Sequence, residues 1–94
     1  MDRSSIDWKG PMVAVVTNFD QRGKIDEKAF SINVERMFDN RATGIVVGGC
    51  TGEFWALSNE ERCRLFHLGV KAAGGRGDVI VGTGAVTAKE TIKL

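Results

Sequence analysis

The run Gly48-Gly49-Cys50-Thr51-Gly52-Glu53 gathers the groups that could hold a small anion and act on it. Glycines let backbone N–H groups come close to a ligand, because no Cβ stands between them. Thr51 adds a hydroxyl donor and Cys50 a weaker thiol donor. A carboxylate or a phosphate fits such a corner. The same residues also make a plain strand-to-helix turn, with glycines serving only the backbone and Thr51 capping it. On residue types alone both readings stand. Glu53 offers a carboxylate for acid–base work, but its place in the turn favours a structural bond back to nearby backbone or to a neighbouring unit.

Other groups carry weaker signals. Gly82-Thr83-Gly84-Ala85-Val86-Thr87 imitates the G-x-G-x-x-G dinucleotide fingerprint, with Thr87 where the third glycine belongs. It reads as a turn between a strand and a helix. A different α/β enzyme that binds phosphate or a dinucleotide at these glycine-rich strand ends is the competing functional class. Cys63 and His67 have metal-compatible spacing on one helix, but with Cys50 far off at a strand end a closed zinc set lacks ligands. Phe54 and Trp55 either line a pocket or fill space between strand and helix, and packing is the expectation for Trp55. Arg76-Gly77-Asp78 spells an adhesion tripeptide inside a helix-to-strand loop, where it reads as chance. The charged residues along 59–71 read as a solvated helix face.

These residues need a frame, and three apolar runs supply it. They are Met12 to Thr17, Gly44 to Gly49, and Val79 to Thr83. All three are near-continuous rather than alternating, the pattern of parallel strands buried on both faces. Between them, residues 26–41 place Phe30, Val34, Met37 and Phe38 at helical spacing, with Asp26 as the cap. Residues 59–73 place Cys63, Phe66, Val70 and Ala73 on one face, and Ser58 with Glu61 forms a capping box. Glycines 74, 75 and 77 close that helix. Thr87 with Glu90 forms a second box that opens a third helix from about residue 88.

The order is therefore β-α-β-α-β-α. The strands recur at a period of roughly 33 residues without sequence repetition. Eight such units make about 250 to 270 residues, the size of a (β/α)₈ barrel. Flavodoxin-like and Rossmann sheets use similar units, so the period alone leaves those open. In every one of these folds, residues 49–53 fall just past the carboxyl end of the second strand, where ligands bind.

Composition narrows the class. The chain has 94 residues, which limits it to one small domain at most. Thirteen Lys and Arg nearly balance twelve Asp and Glu, so nothing points to nucleic acid or a membrane surface. The apolar runs are too short to span a bilayer, and no leader pattern opens the sequence. Two cysteines make no disulfide framework. The expectation is a reduced, cytoplasmic protein.

The run Gly49-Cys50-Thr51-Gly52-Glu53, followed by Leu57-Ser58 and Glu60-Glu61-Arg62, resembles the signature of the dihydrodipicolinate synthase and N-acetylneuraminate lyase family. Ala14-Val15-Val16-Thr17 with Phe19, Gly23 and Ile25-Asp26 is similar to the family's first strand and turn. Val79 to Gly84 is similar to its third strand. The resemblance spans residues 8–94 and corresponds to the amino-terminal third of a family member. It implies that residues 1–94 form the first three βα units of a TIM barrel, cut inside the third helix, within a longer single-domain protein.

The resemblance also implies a chemistry: a Schiff-base class I aldolase or dehydratase acting on pyruvate or another 2-keto acid. Thr51, with the turn amides of Gly49, Cys50 and Gly52, would bind the substrate carboxylate. Cys50 takes the position whose hydroxyl normally joins a proton relay with tyrosines, and a thiol is a weaker donor there. Asn18 stands where the family often has proline. The imine is the electron sink, so no metal or organic cofactor is implied, and family members are commonly homo-oligomers. The Gly52-Glu53-Phe54-Trp55 continuation leans towards a sugar-acid or aromatic-pyruvate substrate.

The Schiff-base lysine and the main tyrosine acid belong to later strands. The lysines here, at 9, 24, 28, 71, 89 and 93, fall in turns or helical patterns, and there is no tyrosine. The 94 residues by themselves are expected to be inactive, and a non-catalytic fragment that persists by association is the third reading.

Overall fold

The computed structural model describes residues 8–94. The residues ahead of Trp8, on which the expectation of no leader partly rests, lie outside the described residues. The elements follow the anticipated order: β1 Met12–Ala14, α1 Glu27–Asp39, β2 Gly44–Val47, a 3-10 turn Phe54–Ala56, α2 Asn59–Ala73, β3 Asp78–Val81 and α3 Ala88–Lys93.

The strands form one parallel sheet in the order β1-β2-β3. Met12 pairs with Gly44 and Gly44 with Asp78, so the three strands start level. Parallel neighbours joined by helices are the (β/α) unit, and β2 lies between the other two as its near-continuous apolar run requires. Ile45 and Val47 point to the helical side and are fully buried. Gly69 lets α2 settle on β2, since a Cβ there would stand 2.8 Å from Val47 Cγ2. Phe30, Val34 and Phe38 of α1 and Leu65, Leu68 and Ala73 of α2 complete the core. On the opposite face Ala14, Val46 and Ile80 stand in one cross-strand row.

Two ion pairs tie α1 to α2 and to the loop that follows it. Arg64 donates to Glu27 through Nε at 3.1 Å and Nη2 at 2.7 Å, and Arg76 Nη2 donates to Asp39 at 2.7 Å. The hydrogen bond from Arg64 holds the exposed Glu27 carboxyl below its ordinary pKa.

Helix boundaries follow local chemistry. The Ser58–Glu61 capping box is formed in both directions, and left-handed Gly74 ends α2. Asp26 caps α1 by accepting from Ala29 N–H. That helix stops at Asp39, two residues short of the expected end, because Arg41 takes a positive φ of 72°. Strands are shorter than expected. The β2 ladder ends at Val47 because Gly48 turns to φ 72°. β1 ends at Ala14, although Val15 N–H still reaches Val46 O at 3.1 Å.

The buried stripe of α2 differs from the one expected. Cys63 is exposed and Val70 is 58% exposed, whereas Arg62, Leu65, Leu68, Gly69 and Ala73 are buried. The reason is rotation: the helix faces β2 and α1 together, and the 63/70 stripe is turned outward past β3, where Val70 borders a groove with Val79 and Ile80. No helix among the described residues is long and apolar enough to cross a membrane.

Candidate functional site

β2 delivers its chain end between two neighbours. On one side, Gly82 N–H donates to Val47 O at 2.8 Å. A Cβ on Gly82 would stand 2.4 Å from Gly48 O, so the two backbones meet only because residue 82 has no side chain. On the other side, Thr17 Oγ1 donates to Gly52 O at 2.6 Å across 35 residues of sequence. Thr17 is buried, and a Cβ on Gly52 would lie 3.2 Å from its hydroxyl and 3.3 Å from Val15 O.

Between these supports the chain turns. Glu53 N–H closes the turn on Cys50 O at 2.9 Å. Glu53 itself takes φ 57° and ψ 46°, a left-handed conformation that costs a non-glycine residue about 1 kcal/mol. Ala56 N–H then bonds Glu53 O, Leu57 N–H bonds Phe54 O, and the Ser58 box starts α2. The turn is thus continued without a break into a helix whose start is fixed.

The residues singled out for anion binding come together here. Cys50 and Thr51 are exposed, Gly49 is half-buried and Gly52 is buried. Among the described residues the N–H groups of Cys50, Thr51 and Gly52 donate to no backbone carbonyl. An exposed threonine and amides without a backbone acceptor in one turn are candidate donors for a small anion. Glu53 departs from its expected role: its side chain is exposed and caps nothing, and the structural contribution comes from its backbone.

Two residues of this neighbourhood were not legible as such. Thr17 was assigned only to a strand, and its partner is too distant in sequence to be read from spacing. Arg62 belonged to the stretch expected to be a solvated face, yet it is 3% exposed. Its Nη2 donates to Gly82 O at 2.7 Å and its guanidinium lies 4.8 Å above the Phe54 ring. Its Nε is buried without a partner among the described residues. The signal was available: residue 62 lies three before Leu65 and seven before Gly69, on the stripe that faces β2. Trp55 is not core; it is 65% exposed and packs edge-on against Phe54 with ring centroids 5.4 Å apart.

The second glycine-rich turn, 82–87, leads into α3, where Thr87 accepts from Glu90 N–H at 3.2 Å. Nothing lies within 4 Å of where a Cβ on Gly84 would be, and Val86 is 98% exposed. His67 is also exposed.

Comparison with known proteins agrees with this architecture. The model of the dihydrodipicolinate synthetase family matches residues 7–94. A 4-hydroxy-tetrahydrodipicolinate synthase of Bacillus subtilis is 41% identical over 81 residues, covering 86% of this chain and 28% of the relative. The crystal structure of dihydrodipicolinate synthase DapA-2 from Bacillus anthracis superposes with a TM-score of 0.89 at 39% identity, covering 94% of this chain and 30% of that one. A chloride-inhibited dihydrodipicolinate synthase from Acinetobacter baumannii, complexed with pyruvate, superposes with a TM-score of 0.86 at 34% identity over 89% of this chain and 29% of that one. The three βα units are the opening units of a (β/α)₈ barrel. The chain spans under a third of the length of these relatives, and it belongs to the dihydrodipicolinate synthetase family.

Proposed function

We propose that the full-length protein is a lyase or dehydratase that binds pyruvate or another 2-keto acid and activates it as a lysine imine. In this reading the turn after β2 holds the substrate carboxylate. Thr51 Oγ1 and the amides of Cys50, Thr51 and Gly52 donate to it, with Gly49 giving the backbone room to approach. Charge-assisted bonds of this kind are roughly twice as strong as neutral ones. The observation that carries the reading is the exposed Thr51 hydroxyl beside amides with no backbone partner, in a turn supported from both neighbouring strands.

The covalent step belongs to a lysine beyond Leu94. Its unprotonated amine attacks the C2 carbonyl carbon and water leaves; the protonated imine then accepts the electron pair of a bond that breaks at the adjacent carbon, and the resulting enamine returns that pair when a bond forms there. Cys50 occupies the place of a proton-relay hydroxyl, and its thiol would make that relay weaker than a threonine would. Pyruvate is favoured as the 2-keto acid because a family relative with this architecture has been captured with it. The full-length protein is further proposed to be a homo-oligomer.

The test uses the full-length protein, pyruvate and borohydride, followed by intact mass and peptide mapping. One reduced pyruvate adduct on a lysine after residue 94 is the expected result. Folded protein with no adduct would overturn the reading and leave the turn as a site for another anion, such as the phosphate of a nucleotide.

A further inference from the structure

We infer that Thr17 is a positioning residue for the carboxylate site, acting through the carbonyl of Gly52. The inference rests on the 2-keto-acid reading and adds to it a residue outside the donor turn. Thr17 follows Val15 by two positions, so both side chains fall on one side of the chain, and both are buried at 6% and 2% exposure. Burial alone asks for nothing polar at this place. Valine has nearly the shape of threonine and would fill the same space. What threonine adds is the hydroxyl, and that hydroxyl donates to Gly52 O at 2.6 Å.

The target of the bond is what makes it matter. The peptide unit between Gly52 and Glu53 is planar and rigid. Its oxygen is held by Thr17 and its N–H by Cys50 O at 2.9 Å. With both ends tied, rotation of that plane is restrained, and this narrows the range open to the preceding amides of Gly52 and Thr51. Without Thr17 the buried carbonyl has lost its donor, and the turn gains by tilting to reach water.

Thr17 is itself held. Val15 N–H reaches Val46 O at 3.1 Å, and Asn18 O accepts from Asp26 N–H at 2.7 Å. The first strand thereby fixes the direction of donors that sit after the second.

The test compares full-length wild type with Thr17→Val and Thr17→Ser. Borohydride trapping is followed as a function of pyruvate concentration, and melting temperature and circular dichroism are recorded alongside. Thr17→Val is expected to raise the half-saturating pyruvate concentration about tenfold, with the limiting trapping rate within about twofold, the pattern of lost uniform binding. Thr17→Ser is expected to restore the wild-type value. If Thr17→Val does not fold, Thr17→Cys takes its place, with a weaker donor and a smaller rise expected. A valine or cysteine variant that melts lower yet half-saturates at the wild-type concentration overturns the positioning role. Wild type that traps no pyruvate at all overturns the underlying reading as well, and the two failures are thus told apart.

Discussion

Two turns in this chain look alike in sequence and differ in structure. Both follow a parallel strand, both carry several glycines, and both end on a hydroxyl residue that caps a helix. The turn after β2 is held by Thr17, closed on itself by Glu53 N–H, and carried through a 3-10 turn into a full capping box. Among the described residues the turn after β3 is tied to other elements at its root, where Gly82 N–H bonds Val47 O and Gly82 O accepts from the Arg62 guanidinium. Beyond that point Gly84 faces open space and Val86 is solvated. Glycine content therefore does not by itself tell the two turns apart. What separates the two is how many independent elements fix the direction of the free amides.

The largest expected effect tests where the glycines matter. Gly82→Ala puts a methyl against Gly48 O and is expected to destabilise by about 3 kcal/mol, while Gly84→Ala stays within about 0.5 kcal/mol. Urea unfolding of the two variants decides, and equal midpoints would erase the distinction at its root. Next comes ligand affinity. Thr51→Val removes a donor to a charged group and is expected to weaken pyruvate binding by about 2 kcal/mol, with thermal stability unchanged because the side chain is exposed. Thr83→Val, at the corresponding place in the other turn, is expected to leave pyruvate affinity alone. Calorimetric titration of both variants sharpens or breaks the contrast.

Smaller effects follow at the helix starts. Ser58→Ala loses the half of the capping box in which the Ser58 hydroxyl accepts from Glu61 N–H, and is expected to cost about 1 kcal/mol; Thr87→Ala, at a short exposed helix, about half that. Thermal melts of each variant check the order. The smallest effect is a pH dependence. Glu27 has a depressed pKa in the folded protein, so its contribution is present above the unfolded carboxylate value and is lost as pH falls through the folded one. The difference in unfolding midpoint between wild type and Glu27→Gln is expected to shrink across that acid range. A difference that persists at the acid end would mean that Glu27 acts through something other than its charge.

Legibility in the sequence followed the range of the interactions. α2 was placed at 59–73 because its start and stop are set by residues within a few positions, Ser58 with Glu61 and Gly74. The β-α-β-α-β-α order and the glycine turn were equally local signals. The strands were overextended because pairing ends where a neighbour diverges, which Val15 to Thr17 do not announce. The face of α2 was misjudged by one residue, since Cys63, Phe66 and Val70 form as good an apolar stripe as Leu65, Leu68 and Gly69. Only the sheet and α1 together decide between them. The partners of Arg62 and of Thr17 were out of reach for the same reason, since they lie 20 and 35 residues away, although the burial of Arg62 was readable from its place on the α2 stripe. The relatives fall on both sides of the lean towards a sugar-acid or aromatic-pyruvate substrate drawn from Gly52-Glu53-Phe54-Trp55: they include a 4-hydroxy-tetrahydrodipicolinate synthase at 41% identity and an N-acetylneuraminate lyase at 31%.

The two ion pairs that α1 makes with α2 and the loop after it have one more consequence. Each joins residues 37 apart, Glu27 at the start of α1 to Arg64 within α2 and Asp39 at the end of α1 to Arg76 just past α2. Exposed pairs add little energy singly. As a matched couple they act as a vernier. Sliding one unit along the other by a single helical turn, about 5.4 Å, would break both contacts at once. Their value is in keeping count, so that the second strand always presents the same residue at its end.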